Sequence, residues 1–200
     1  MIPAAHHTCV AIVQIAVPSK HTACFRGDSA LIVPYDESTF RLKDETLIAA
    51  WDDAVVPGEV ELLPHTHYSP MYAWMYAYEK KLKRRIEKTL GRPLGQLERA
   101  LFGQDGAVSE ALSNAFLHGH RRDPARVIHV STQVARPMLL VSVRDSGPGF
   151  DVPAALGAME HGGTYFHMAG NGLRCLATSD RIQAAYTNGG RTIVLRVPLQ

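Results

Sequence analysis

The chain is poor in cysteine, carries little net charge of either sign and has no long apolar run. Its three cysteines, Cys9, Cys24 and Cys175, are odd in number, far apart and without CxxC spacing. That pattern supports neither a disulfide framework nor a thiolate zinc site, and it suits reduced thiols in a cytoplasm. A formal net charge of +2 over 200 residues is too small to draw the whole surface to nucleic acid or to a membrane, so any charged partner site must be local. No segment approaches the roughly 20 apolar residues of a membrane-spanning helix. The opening MIPAAHHTCVAIVQIAVPSKH contains a short apolar run, but no Lys or Arg precedes it and Gln14 and Pro18 interrupt it, which makes a poor secretion signal. Internal repeats and low-complexity segments are absent too. These absences predict a cytoplasmic protein without direct contact to nucleic acid or membrane.

What is present is ample material for a core. A hydrophobic fraction of 46% in 200 residues suits one domain, with or without an appendage. Clusters of β-branched and apolar residues between Pro, Gly and Ser predict short strands at Thr8–Val17, Ala30–Tyr35 and Glu59–Leu63. Thr46–Trp51 reads as a brief helix. Pro57-Gly58 marks a boundary, giving a β-rich extension over residues 1–57 and a domain over 58–200. Nothing in 1–57 chooses between a sensor, an added piece of sheet and a dimerisation element, and Arg26-Gly27-Asp28 and Trp51-Asp52-Asp53 read as surface sequence.

Met71, Trp74, Met75, Tyr78, Leu82 and Ile86 recur at spacings of three and four, which predicts a helix from Ser69 or Pro70 to about Leu90, stopped by Gly91. Its other face holds Lys80, Lys81, Lys83, Arg84, Arg85 and Lys88, either a solvated face or a grip for an acidic or phosphorylated partner. Pro93 opens a second helical stretch with Leu94, Leu97 and Leu101, broken by GQDG (103–106), after which Asp105 is a candidate cap for a new helix. Val127–Val134 and Met138–Arg144 read as strands joined at Arg136-Pro137. Arg181–Thr187 and Arg191–Val197 flank Asn188-Gly189, a hairpin signal because Asn-Gly accepts the positive φ of a type I′ turn. Helices first and strands largely after favour a sandwich with helices on one sheet face.

Three stretches bear chemistry. EALSNAFLHGH (110–120) sets Glu110, Asn114 and His118 on one helix face; such a face either serves a metal-nucleotide site or arises by chance. DSGPGF (145–150) puts the acceptor-only carboxylate of Asp145 at a strand end beside Gly147 and Gly149, either a tight turn or backbone that lets a flat ligand approach. AGNGLRCLA (169–177) places Gly170 and Gly172 before a helical pattern, where free N–H groups and the helix dipole favour phosphate. His6-His7 and His65-Thr66-His67 raise metal binding, but lack a third ligand at a recognisable spacing.

In their order, EALSNAFLHG, DSGPGF, GNGLRCL and GGRTIVLRVPL resemble the N, G1, G2 and G3 boxes of the GHKL ATPase superfamily, which includes gyrase, histidine kinases and MutL. The likeness runs from about Glu59 to the C-terminus, leaves 1–57 uncovered, and is most similar in its compact form to the anti-sigma factor serine/threonine kinases. It implies an α/β (α+β) two-layer sandwich, the Bergerat-type, histidine kinase-like ATP-binding fold with helices on one face of a mixed β-sheet. No GxxxxGK[ST] run occurs, as the resemblance leads one to expect. It further implies ATP and Mg²⁺ as cofactors, Glu110 as general base, and Asn114 as the metal ligand through its side-chain oxygen. Asp145 would accept from the adenine amino group, with Gly147 and Gly149 beside the base, Gly170, Asn171 and Gly172 at the phosphates, and Thr192 near the adenine end. His118 matches a pocket-lining position, with a packed or solvent-facing histidine as the alternative.

Within the superfamily, the stretch Ser69–Leu90 has no phosphoacceptor histidine, the interval 151–169 is short for a histidine kinase lid, and the chain stops within a few residues of its last strand, without a gyrase- or MutL-type transducer. The remaining expectation is a serine/threonine kinase whose partners are a sigma factor-like regulator and an antagonist substrate, with a homodimer as an option. The alternatives are a non-catalytic, nucleotide-switched binding module and a catalytic domain for a separate histidine phosphotransfer protein. Two features sit apart from the family pattern: the GQDG break just before Glu110, and EHGGTYFH (160–167), a lid sequence with Gly162 and Gly163 as hinges.

Overall fold

In the computed structural model, residues 11–14, 31–34, 42, 46–59, 70–103, 106–152, 154–155 and 182–199 are described. Along the chain these form β1 (Ala11–Gln14), β2 (Leu31–Pro34), β3 (Leu47–Val55), a 3-10 turn at Pro57–Glu59, α1 (Pro70–Leu90), α2 (Gln96–Leu101) and α3 (Ala107–Asn114). A π-helical turn at Ala115–Gly119 extends α3, followed by β4 (Ile128–Ala135), β5 (Met138–Arg144), β6 (Gln183–Thr187) and β7 (Thr192–Pro198). The strands make one seven-stranded sheet in the order β2-β1-β6-β7-β5-β4-β3. Every pairing among them is antiparallel, so among the described residues the sheet is not the mixed one that the resemblance implied.

The expected α/β two-layer sandwich follows from alternation along the strands. Ile128, Val130, Thr132 and Val134 of β4, Leu139, Val141 and Val143 of β5, and Ile193, Leu195 and Val197 of β7 are all buried. Cross-strand register keeps these residues in phase, since Val130 pairs with Val143, and Val143 with Ile193. They form the face that α1 and α3 cover. The opposite face is wetter: His129 pairs with Arg144, and both are exposed.

Helix α1 spans the length its spacing predicts. Trp74, Tyr78, Leu82 and Ile86, four apart, are all buried, and Trp74 meets Phe116 edge-on with ring centroids 5.5 Å apart. Each such side chain contributes about 1.5–3 kcal/mol on leaving water. The second helical stretch is shorter than Pro93 suggested, starting at Gln96. Helix α3 begins after Gly106 in the N-cap position, with no side-chain cap; Asp105, the expected cap, lies outside the described residues.

Two expectations are corrected. Thr46–Trp51 is not helical: Leu47–Val55 is a nine-residue strand, hydrogen-bonded to β4 along its length. Tertiary pairing overrides the helix preference of Leu-Ile-Ala-Ala. Nor is Trp51-Asp52-Asp53 surface sequence, since Trp51 is buried under the Arg85 guanidinium, 4.4 Å from the ring centroid. Asp53 accepts a hydrogen bond from Tyr78 Oη at 3.0 Å and faces Lys81 and Arg85 at 3.5 and 3.6 Å. Part of the basic face of α1 is thus spent on fixing β3. Of the predicted strand Glu59–Leu63, Glu59 lies in the 3-10 turn and the rest falls outside the described residues.

Candidate functional site

A widened turn builds the site. After Asn114 the helix loosens to π spacing, with His120 N–H donating to Ala115 O at 2.8 Å. Such bulges swing side chains off the regular helical face. Here the turn carries Gly119 against the loop that follows β5: a Cβ on Gly119 would strike the Asp145 carboxyl, and one on Gly147 would strike Gly119 O. Only glycine permits this approach of two backbones to one carboxylate.

Asp145 is fixed from several directions. Its N–H donates to Arg191 O at 3.0 Å, and its Oδ1 accepts the Gly147 N–H at 2.7 Å. Burial pushes its carboxyl above the usual aspartate range, opposed by the Gly147 N–H, His120 and Arg191. The β6–β7 hairpin closes the far wall. Asn188 and Gly189 take the positive φ expected of them, 56° and 63°, and Gly189 O accepts the Phe150 N–H at 3.1 Å. Phe150 then packs edge-on against Tyr186, centroids 5.2 Å apart.

Between these walls lies a cavity of about 360 Å³, within the usual range for small-molecule sites. Asn114, His118, Asp145 and Gly149 line it, together with Phe150, Tyr186 and Arg191. The His118 imidazole is held below the usual histidine range by burial and by Arg122. Burial raises the Tyr186 phenol, and the nearby Glu110 carboxylate raises it further.

The remaining candidate residues lie elsewhere. Glu110 sits one turn before Asn114 on α3, half-buried, and is not among the described cavity-lining residues. Gly147 packs against Gly119 O and Asp145 Oδ1 and is not among the described cavity-lining residues. Thr192 opens β7 paired with Thr187 and Arg144, so alternation turns it to the face opposite the cavity-lining Ile193. Gly170, Asn171 and Gly172 fall outside the described residues, as do the lid sequence 160–167, the His6-His7 and His65-Thr66-His67 pairs and all three cysteines. Among the described residues no group of three or more His, Cys, Asp or Glu side chains is placed to hold a metal, and no helix is long and apolar enough to cross a membrane.

Sequence reasoning missed Arg191, Tyr186, Phe150 and His120. Arg191 had a readable signal, because it lies between Gly190 and Thr192 in the GGRT turn, and Gly190 and Arg191 both line the cavity. Its guanidinium is pinned by Asn188, Nε to the carbonyl and Nη2 to Oδ1, each at 2.9 Å.

Residues 100–197, the stretch that carries α3, the π turn and β4–β7, match the family model of the histidine kinase-like ATPase domain. Over these residues the chain is similar to that family and shares its histidine kinase-like ATPase fold, and every residue lining the cavity lies within the matched stretch. Over 44 residues the chain is 36% identical to an anti-sigma F factor of Anoxybacillus flavithermus, a match covering 22% of this chain and 30% of that protein.

Proposed function

We propose that the chain is an ATP-dependent serine/threonine protein kinase of the anti-sigma factor, partner-switching type, acting on a regulatory protein. The observation that carries this reading is the convergence of Asn114, His118, Asp145 and Gly149, from the α3 extension and the loop after β5, on one cavity. Asp145 presents a part-buried carboxylate able to accept from an adenine amino group, and the close packing of Gly119 and Gly147 holds that carboxylate still. Asn114, which lines the cavity, would hold Mg²⁺ through its carboxamide oxygen, a single protein ligand that suits an ion keeping most of its ligands as phosphates and water. When bound, Mg²⁺ would neutralise charge on the transferring phosphoryl group. Glu110, one turn away, is the proposed base for a substrate hydroxyl, and Gly170, Asn171 and Gly172 are the proposed phosphate contacts. A sigma factor-like regulator and an antagonist substrate are the proposed protein partners, in a cytoplasmic setting.

The test is incubation of the chain with γ-labelled ATP, Mg²⁺ and the proteins that co-purify with it. The kinase reading expects acid-stable label on a Ser or Thr of a partner. A second reading, a nucleotide-switched binding module without transfer, is favoured by one observation: Glu110 is not among the described cavity-lining residues. That reading expects ATP to change partner affinity and no label to appear.

A further inference from the structure

Three successive backbone N–H groups define the turn that presents Asp145, and each has its own acceptor. Asp145 N–H goes to Arg191 O at 3.0 Å, and Gly147 N–H to Asp145 Oδ1 at 2.7 Å. The middle one, Ser146 N–H, goes to a side chain on the other wall, His120 Nε2, at 3.1 Å. Ser146 Oγ lies 3.2 Å from the same nitrogen. His120 is only 1% exposed. Its own backbone is fixed on both sides, donating to Ala115 O at 2.8 Å and accepting from Asp123 N–H at 3.1 Å.

A backbone N–H can only donate, so Nε2 must carry a lone pair and the ring proton must sit on Nδ1. That Nδ1 is buried without a hydrogen-bond partner among the described residues. The imidazole is therefore held in one neutral tautomer, and its lone pair is what joins the π turn to the Asp145 loop.

We propose that His120 is a positioning residue for the nucleotide site, fixing the Asp145–Gly147 turn through the acceptor Nε2. The inference rests on the reading of the cavity as an ATP site. Protonation of the ring would turn Nε2 into a donor, expel the Ser146 N–H and slacken the turn. Burial holds the imidazole below the usual histidine range, aided by Arg126 and His129 and opposed by Asp145 and Asp123. The neutral ring thus prevails at neutral pH, and the contact is lost on the acid side.

The experiment is titration of the full chain with Mg-ADP between about pH 5 and 8, using the wild type, His120→Gln and His120→Phe. Gln offers Oε1 near the position of Nε2 and does not titrate; Phe keeps the ring and removes the acceptor. His120→Phe is expected to bind about tenfold more weakly at neutral pH, the loss of one buried hydrogen bond. His120→Gln is expected to stay within about threefold of wild type at neutral pH, and the wild-type advantage over it to shrink as the pH falls. Comparing the two proteins at each pH cancels the titration of ADP itself. Equal binding by wild type and a folded His120→Phe, or a wild-type-to-Gln ratio that does not change with pH, overturns the positioning role while leaving the ATP site intact. If circular dichroism shows His120→Phe unfolded, the pH-dependent ratio decides alone. A wild type that binds no ADP at any pH overturns the nucleotide reading itself, and the inference with it.

Discussion

Gly119 lies so close to Asp145 that a Cβ on the glycine would overlap the carboxyl group. The contact ties the end of the helical segment to the strand-end carboxylate, and it exists because the helix relaxes to π spacing over Ala115–Gly119. The motif's glycine therefore makes room for a carboxylate rather than ending a helix.

Gly119→Ala should accordingly displace Asp145 while sparing the core, since Gly119 is half-buried at the cavity rim. We expect a fall of tenfold or more in ATP affinity, roughly the 1–3 kcal/mol of one disturbed buried polar contact. The fall should come with a change of less than about 2 kcal/mol in unfolding free energy. Isothermal calorimetry beside urea denaturation separates the two.

Asp53 gathers Tyr78, Lys81 and Arg85 onto β3. Its removal strands two cations and a buried phenol. Asp53→Ala should destabilise the fold by about 1–3 kcal/mol, of which the two partly exposed ion pairs supply the smaller share. Tyr78→Phe should cost only about 0.5–1.5 kcal/mol. Denaturant melts of the two variants give the comparison, and equal effects would show that the hydrogen bond alone matters.

Glu79 predicts a stability that declines with rising pH. Burial at 5% exposure pushes its carboxyl from the ordinary 4.5 to about 7, opposed by Ser109 and the Gly103 backbone. Between those values the folded chain holds a proton that the unfolded chain has released. Its contribution is thus complete below about pH 4.5 and lost as the pH rises through about 7. Glu79→Gln should remove this slope and raise stability at neutral pH by about 1–3 kcal/mol. Urea midpoints measured across that range test it; parallel curves for the two proteins would contradict it.

Glu110→Gln separates binding from transfer. The carboxylate lies beside Tyr186 and not among the described cavity-lining residues, so the amide should leave ATP affinity within about threefold of wild type. If Glu110 is the base, transfer should fall at least a hundredfold, as for the loss of general base catalysis. A single-turnover assay with labelled ATP reads this directly, and undiminished transfer would remove Glu110 from the mechanism.

Much of the fold is legible in the residues alone. The run Trp74, Tyr78, Leu82, Ile86 announces α1, because large apolar side chains four apart fall on one buried stripe only when the backbone is helical. Asn188-Gly189 announces the β6–β7 hairpin through its backbone conformation. The convergence of Asn114 with Asp145 is readable only as a resemblance, since no local rule ties a helix to a loop after a distant strand. β3 is hidden because Leu-Ile-Ala-Ala favours a helix locally, and only pairing with β4 makes it a strand. The direction of Thr192 depends on strand phase, which Ile193 sets by facing the cavity. His120 gives no signal at all: its partner is a backbone N–H, and backbone groups leave no trace in side-chain patterns.

The measurement that bears most directly on the central claim is calorimetric titration of Mg-ATP into the wild type and Asp145→Asn. An ATP site built around Asp145 predicts saturable, one-to-one binding by the wild type, weakened about tenfold to a hundredfold by the carboxamide, which replaces a charged acceptor of a hydrogen bond by a neutral one. Identical affinities in the two proteins, or no binding by the wild type, would contradict it.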